Sequence, residues 1–462
     1  MQPVPPPSLP EGPLVAWYGD DFTGSAAAME VLAFAGLPSV LFLDLPTPGQ
    51  LARFAGARGV GVASTARAHG TAWMDATLPE AFAFLRGVGA AISHYKVCST
   101  LDSSPEVGSI GHAVDLAASA FDWRWTPVLV AAPPMRRYQA FGHLFAAGPG
   151  GVTRLDRHPV MARHPVTPMD EADVARHLAR QTARSLGLVS LEDLVSPERA
   201  RGAVDRQVAE GAELLTLDCM DDATLAACGR LIWEARAQGG FVVGSQGVEY
   251  ALVRHWVERG MLAEAPAPGG VGPAERMAVV SGSVSPVTAA QIEWSLAHGF
   301  EGVAFDVLAV LDGEEALARA EAEAVAGALA ALGRGASPLV FTARGPDDPA
   351  VAALREALGR SAVASETANA GIGAALGRIL HAVVRRAGLG RAVISGGDTS
   401  GHASRELGVH ALTALAPTIP GAAIFQAHAD GPHHGLQLAL KGGQMGSPDY
   451  FGWVRDGGGP RR

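Results

Sequence analysis

Of the 36 lysines and arginines in this 462-residue chain, only two are lysines, Lys96 and Lys441. Lysine is ordinarily among the commonest residues, so arginine fills nearly every generic cationic role here. A lysine kept against that bias marks a place that needs a compact ammonium on a flexible stem. Such a group makes a point contact with an oxyanion, or gives up its proton when buried. Both lysines open polar, turn-rich strings, KVCSTLDSS and KGGQMGSPD.

Three further strings carry chemistry. Gly19-Asp20-Asp21-Phe22-Thr23-Gly24 follows an apolar run and precedes a helical pattern, the place where open α/β sheets bind ligands. Two adjacent carboxylates repel unless a cation or a protic group lies between them. A hydroxyl-bearing substrate, a metal or a lysine would serve, and Thr23 is placed to cap the helix. Tyr95 to Ser104 offers one ammonium, four aliphatic hydroxyls including Ser99, and Asp102. That set suits a small polyhydroxylated acid, with Lys96 on its carboxylate and Asp102 on its hydroxyls. Arg67, after the run GVGVA, offers a second fork for a carboxylate. Ser281 to Pro286 follows a strand, with Ser283 in the turn, Ser285 as N-cap and Pro286 at the first helical position, an arrangement that favours phosphate.

Ile394 to Gly401 feeds a strand into Gly396, Gly397, Asp398 and Thr399. The glycines allow backbone to approach a phosphate chain, and Asp398 could reach Mg²⁺ directly or through water. Gly442 and Gly443, after Lys441, suggest another backbone wall around a nucleotide. There is no GxxxxGK[ST] string, so the chain is no P-loop NTPase. Gly371 to Gly377 has only a loose dinucleotide spacing inside a helical pattern, where it predicts close helix packing. His428, Asp430, His433 and His434 share a loop without helical spacing or cysteine, a poor zinc set.

The elements that must position these residues alternate regularly. Short apolar runs at Leu14–Tyr18, Ser39–Leu45, Pro127–Ala132, Leu214–Asp218, Phe241–Gly244, Ala278–Ser281, Val303–Asp306, Leu339–Thr342 and Ala392–Ser395 predict strands separated by helices. Repeated βαβ units predict an α/β fold with mainly parallel sheets. The segment EAPAPGGVGPAE predicts a linker over 263–274, between a domain at 1–262 and one at 275–462, with a disordered proline-rich lead at 1–12. A formal charge of −10 without a basic stretch argues against a nucleic-acid partner. No stretch is long and apolar enough to span a membrane. Three cysteines without a CxxC pair fit a reducing cytoplasm. Oligomeric state is not legible.

In order, DDFTG, YKVCSTLDSSPEVGSIG, SGSVSPVTAAQI, SGGDTSG and KGGQMGSPDYF resemble the four-carbon acid sugar kinase family across nearly the whole chain. The resemblance implies an amino-terminal domain for the sugar acid, a carboxyl-terminal domain for ATP and an active-site cleft between the two. It implies phosphorylation of tetronates, 3-oxo-tetronates or branched apiose-derived acids. Carried over by position, Asp20, Asp21, Arg67, Lys96 and Asp102 would face the acid, and Ser283, Gly396 to Thr399 and Gly443 would face ATP. Two departures stand out: Ser25, where the family usually has alanine, and APPMRRYQAFGHLF, where an Ala-Phe-Pro and then a Gly-Arg pattern is expected.

The mechanism expected is in-line transfer of the ATP γ-phosphoryl to a substrate hydroxyl, oriented and deprotonated by Asp20 or Asp21. Mg²⁺ would bridge the phosphates. Two rivals are a Schiff-base aldolase or decarboxylase using Lys96, and a non-enzymatic sensor of sugar acids or nucleotides.

Overall fold

A computed structural model of the protein describes residues 8–148, 150–164 and 166–461, and of Asp398 the backbone alone. The chain forms two compact units, Met1–Pro266 and Ala267–Arg462. In the first, eight parallel strands make one sheet: β1 (Val15–Gly19), β2 (Ser39–Phe42), β3 (Gly59–Ala63), β4 (Ile92–Lys96), β5 (Thr126–Leu129), β9 (Leu186–Val189), β10 (Leu214–Leu217) and β11 (Phe241–Gly244). Their order is β2-β3-β1-β4-β11-β5-β10-β9. Strands β1, β3 and β4 are buried along their full length. Helices cover both faces of such sheets, which is why β1 and β3 read as continuous apolar runs without alternation, while β4 buries the more polar string Ile92-Ser93-His94-Tyr95-Lys96. The chain leaves β1 toward β2 and β3 on one side and returns to β4 on the other. The carboxyl end of β1 is therefore a switch point, where α/β sheets open a crevice.

Between β5 and β9 the chain makes an excursion that the βαβ rhythm does not predict. Strands β6 (Arg137–Ala140), β7 (His143–Gly148) and β8 (Gly151–Arg154) form a separate antiparallel sheet. It is tied down by Asp218 at the end of β10. That fully buried carboxylate accepts from the backbone N–H groups of Phe141 at 2.6 Å, Gly142 at 2.9 Å and Leu191 at 3.1 Å.

The second unit holds β12 (Ala278–Ser281), β13 (Phe300–Ala304), β14 (Ser337–Phe341), β15 (Arg391–Ser395), β16 (Val409–Ala416), β17 (Ile424–Ala429) and β18 (Gln437–Lys441). They run in the order β13-β14-β12-β15-β18-β17-β16. The pairs from β13 to β18 are parallel, and β17 is antiparallel to both β16 and β18. The strand expected at Val303–Asp306 begins earlier, because Phe300 is buried and pairs with Ser337. Asp306 instead caps a 3₁₀ turn through the Leu308 N–H at 3.0 Å. The glycines at 371–377 sit within the helix Ser365–Ala387. A Cβ on Gly373 would meet His402 at 2.8 Å, and one on Gly377 would meet the Ala403 Cα at 2.7 Å. Those contacts are the seam with the helix Gly397–Glu406, so these glycines serve helix packing.

Part of the segment read as linker is bound to the second unit. The Val271 N–H donates to Gly457 O and the Ala274 N–H to Arg455 O, both at 2.8 Å. Residues 1–7 of the expected disordered lead lie outside the described residues. Its end is held, since Arg58 donates to Pro10 O and Gly12 O at 2.6 Å. Among the described residues no helix is long and apolar enough to cross a membrane.

Candidate active site

In the first unit the site is built where β1, β3 and β4 end side by side, Gly19 pairing with both Ala63 and Lys96. Asp20 and Asp21 follow β1. Arg67 comes from the 3₁₀ turn after β3, and Lys96 ends β4. Asp21, not Thr23, caps the helix Phe22–Phe34, accepting from the Gly24 N–H at 3.0 Å. The cap places a carboxylate on the positive end of that helix. The Arg67 guanidinium lies against both aspartates: Nη2 is 2.8 Å from Asp20 and 2.7 Å from Asp21, and Nε is 3.3 Å from Asp20. Its Nη1 reaches to 3.9 Å from Asp102. The fork expected for a substrate carboxylate thus holds the protein's own acidic pair.

Lys96 is buried and donates to Val97 O at 2.7 Å. A Cβ on Gly24 would fall 2.3 Å from its Nζ and 2.4 Å from Asp21 Oδ1. Glycine at that position leaves room for both the ammonium and the carboxylate beside the helix start.

Burial opposes charge on both aspartates, with opposite outcomes. For Asp20 burial outweighs Arg67 and Lys96 and, with Asp21 alongside, pulls its carboxyl above the ordinary value. For Asp21 burial is outweighed by Arg67, Lys96 and the Gly24 amide, which hold its carboxyl below the ordinary value. Asp20 is only 2% exposed, whereas 26% of the Asp21 side chain is open.

The loop after β4 completes this wall. Thr100 donates to Asp102 at 2.9 Å and sits 2.9 Å from Cys98 Sγ, whose thiol burial pushes up to about 11. Leu101 between them takes φ +57°, a left-handed conformation rare outside glycine. Ser99 is half-buried beside them. Arg137 was not singled out from the sequence. Its Nε is buried without a hydrogen-bond partner among the described residues, and burial lowers the pKa of its guanidinium, against the pull of the Asp102 carboxylate. Arg136 before it takes φ +56°, in the segment where the resemblance implies Gly-Arg. The signal for Arg137 was that displaced arginine pair. Ser25, the other departure, is fully buried and donates to Asp21 O at 2.6 Å.

In the second unit a cavity of about 340 Å³ opens at the carboxyl ends of β12 and β15. Gly282, Ser283, Gly396, Gly397, Thr399 and Gly443 form its polar wall, and Val351, Leu354 and Ile372 part of its apolar wall. The backbone is brought close by glycine. Gly396 has φ +130°, and a Cβ on Gly443 would meet Ser283 Oγ at 2.5 Å. Ser285 caps the helix Pro286–Leu296 through the Thr288 N–H at 3.1 Å. Gly442 adjoins this wall and accepts from Lys441 Nζ at 3.0 Å. Asp398 lies in the first turn of the helix Gly397–Glu406, and its side chain lies outside what is described. Of the loop histidines, His433 pairs with His381 at 2.9 Å and His428 with Thr413 at 3.0 Å. Among the described residues no group of three or more His, Cys, Asp or Glu could hold a metal. The polar side chains lining the cavity are hydroxyls and an amide, with no described carboxylate among them.

Residues 15–252 match the family model described as a sugar-binding N-terminal domain, and residues 278–451 match the nucleotide-binding C-terminal domain. The chain is 46% identical over 449 residues to a Paraburkholderia graminis protein named 3-oxo-isoapionate kinase, covering 97% of this chain and 95% of that one. It is 30% identical over 459 residues to a Cupriavidus necator 3-oxo-tetronate kinase, covering 96% and 97%. A solved Salmonella typhimurium LT2 structure superposes with a TM-score of 0.77 at 26% identity, covering 96% of this chain and 98% of that one. The Paraburkholderia graminis and Cupriavidus necator relatives are named kinases, so neither the Schiff-base lyase nor the sensor reading is favoured. The chain belongs to the four-carbon acid sugar kinase family.

Proposed function

We propose that the protein transfers the γ-phosphoryl group of ATP to a hydroxyl of a small 3-oxo sugar acid, branched like the one that names the Paraburkholderia graminis relative. The observation that carries this reading is the cluster of Asp20, Asp21, Arg67, Lys96 and Asp102 at the β1 switch point. Asp21 is the partly exposed and ionised member, so it orients the acceptor hydroxyl and takes its proton. Asp20 and Arg67 hold Asp21 in place. Phosphoryl transfer asks for positioning and charge neutralisation more than for a strong base, which suits a carboxylate held below its usual range.

Lys96 and Arg137 receive the acid's carboxylate, and Ser99 and Asp102 its hydroxyls. Ser283, Gly396, Gly397, Thr399, Gly442 and Gly443 hold the nucleotide, with its base against the apolar wall. Mg²⁺ carried by ATP neutralises phosphate charge when bound, and Asp398 would meet it directly or through water. Three unpaired cysteines among the described residues fit a reducing compartment such as the cytoplasm.

The test is a coupled ATP-to-ADP assay with Mg²⁺ over tetronates, 3-oxo-tetronates and branched 3-oxo acids. Turnover highest on a branched 3-oxo acid supports the proposal. Turnover confined to unbranched acids overturns the branched assignment. Failure of every acid while ATP binds overturns the acceptor class.

A further inference from the structure

Lys441 is the second retained lysine, and the phosphoryl-transfer scheme leaves it without a role. It ends β18, only 1% exposed, and no carboxylate among the described side chains pairs with it. Burial pushes its pKa down to about 7. A cation held in such a place is costly unless something draws on its charge. Its ammonium faces two acceptors, Gly442 O at 3.0 Å and Thr288 Oγ1 at 3.3 Å.

The hydroxyls beyond it have their directions constrained. An ammonium only donates, and each hydroxyl has one hydrogen to give. Thr288 Oγ1 accepts from Lys441, so its hydrogen points onward, to Ser283 Oγ at 2.9 Å or Gly443 O at 3.0 Å. Ser285 Oγ already donates to Gly443 O at 2.5 Å. Ser283 Oγ also receives the Ser285 N–H, at 3.4 Å. Among the described residues Ser283 Oγ donates to nothing, and it lines the cavity.

We propose that Lys441 is a positioning residue which, through Thr288, turns the Ser283 hydroxyl outward as a hydrogen-bond donor to a nucleotide phosphate. Thr288 gives its hydrogen to Ser283, which leaves the Ser283 hydrogen aimed at the cavity and polarised by the ammonium two bonds behind it. Chains of this kind strengthen their last member in a low dielectric. The inference rests on the nucleotide reading of this cavity.

The test is a double-mutant cycle on the full chain, with ATP affinity measured by calorimetry in the absence of acid. Ser283→Ala and Thr288→Val are each expected to weaken ATP binding about tenfold, the size of one lost hydrogen bond to a charged group. Thr288→Ser, which keeps the hydroxyl, should return affinity to within about twofold of wild type. In the Ser283→Ala background, Thr288→Val and Lys441→Met should each add less than about twofold, because their effect passes through that hydroxyl. Full additivity, or loss with Thr288→Ser equal to that with Thr288→Val, overturns the relay. If Thr288→Val does not fold, the Lys441→Met and Ser283→Ala pair gives the same cycle without touching the helix. Wild-type protein that binds no ATP would overturn the nucleotide reading itself, an outcome distinct from additivity.

Discussion

Asp20 and Asp21 are the same residue at adjacent positions, yet the fold separates their acidities. Asp20 is sealed under Arg67, and Asp21 lies at a helix start with three favourable partners. Replacing Asp21 by Asn removes the open carboxylate. We expect kcat to fall by at least about a hundredfold, the usual scale for a proton-handling group, with ATP affinity within about twofold. Steady-state kinetics beside calorimetry check this, and near-normal turnover would overturn the assignment. Arg137→Met should raise KM for the acid by about tenfold or more and leave KM for ATP unchanged, as loss of a charged hydrogen bond predicts. Gly443→Ala should do the reverse, because its Cβ would sit 2.5 Å from Ser283 Oγ. All the Asp, Lys and glycine candidates stood out in the sequence by type and spacing. Arg137 did not, because an arginine whose Nε is buried without a partner among the described residues looks like any other until its neighbours are known.

At the scale of elements, nine of the parallel strands were legible because continuous apolar runs between helices have few other uses, whereas β3, β4, β9 and β18 were not read as strands. The antiparallel excursion β6 to β8 was not legible. Its strands are only partly buried, unlike most of the parallel ones, and their position depends on a distant residue, Asp218. That carboxylate accepts three backbone amides. Asp218→Asn turns half of it into a donor facing donors. We expect a loss of about 2–3 kcal/mol, the range for breaking hydrogen bonds to a buried charge. Urea unfolding measures the loss, and faster amide exchange at Phe141 and Gly142 locates it. An unchanged midpoint would show that the excursion docks by its apolar contacts alone.

For the whole molecule, Lys441 links stability to pH. Its folded pKa is depressed from 10.5 to about 7, so between those values the unfolded chain binds the extra proton. Stability of the nucleotide-free protein should therefore rise with pH from about 7 toward 10.5, by a few kcal/mol at most from this group. Lys441→Met should remove that rise and be the more stable variant at pH 7. Thermal unfolding across pH, without nucleotide, checks both signs. Lower stability of Lys441→Met at every pH would mean the buried ammonium is a net support.

The order of motifs along the chain determined the two-unit α/β plan, because glycine, aspartate and hydroxyl clusters after apolar runs are what a parallel sheet needs at its carboxyl ends. It also singled out the two lysines, since composition alone made them exceptional. Tertiary structure decided which groups neutralise one another. Arg67 is held by the aspartates, Ser25 is turned into its own helix, Thr23 gives the cap to Asp21, and Lys441 faces a hydroxyl and a backbone carbonyl in place of a carboxylate. Electrostatic partnership falls off over a few ångströms and depends on burial. Spacing along a chain carries neither quantity between residues brought together from different strands.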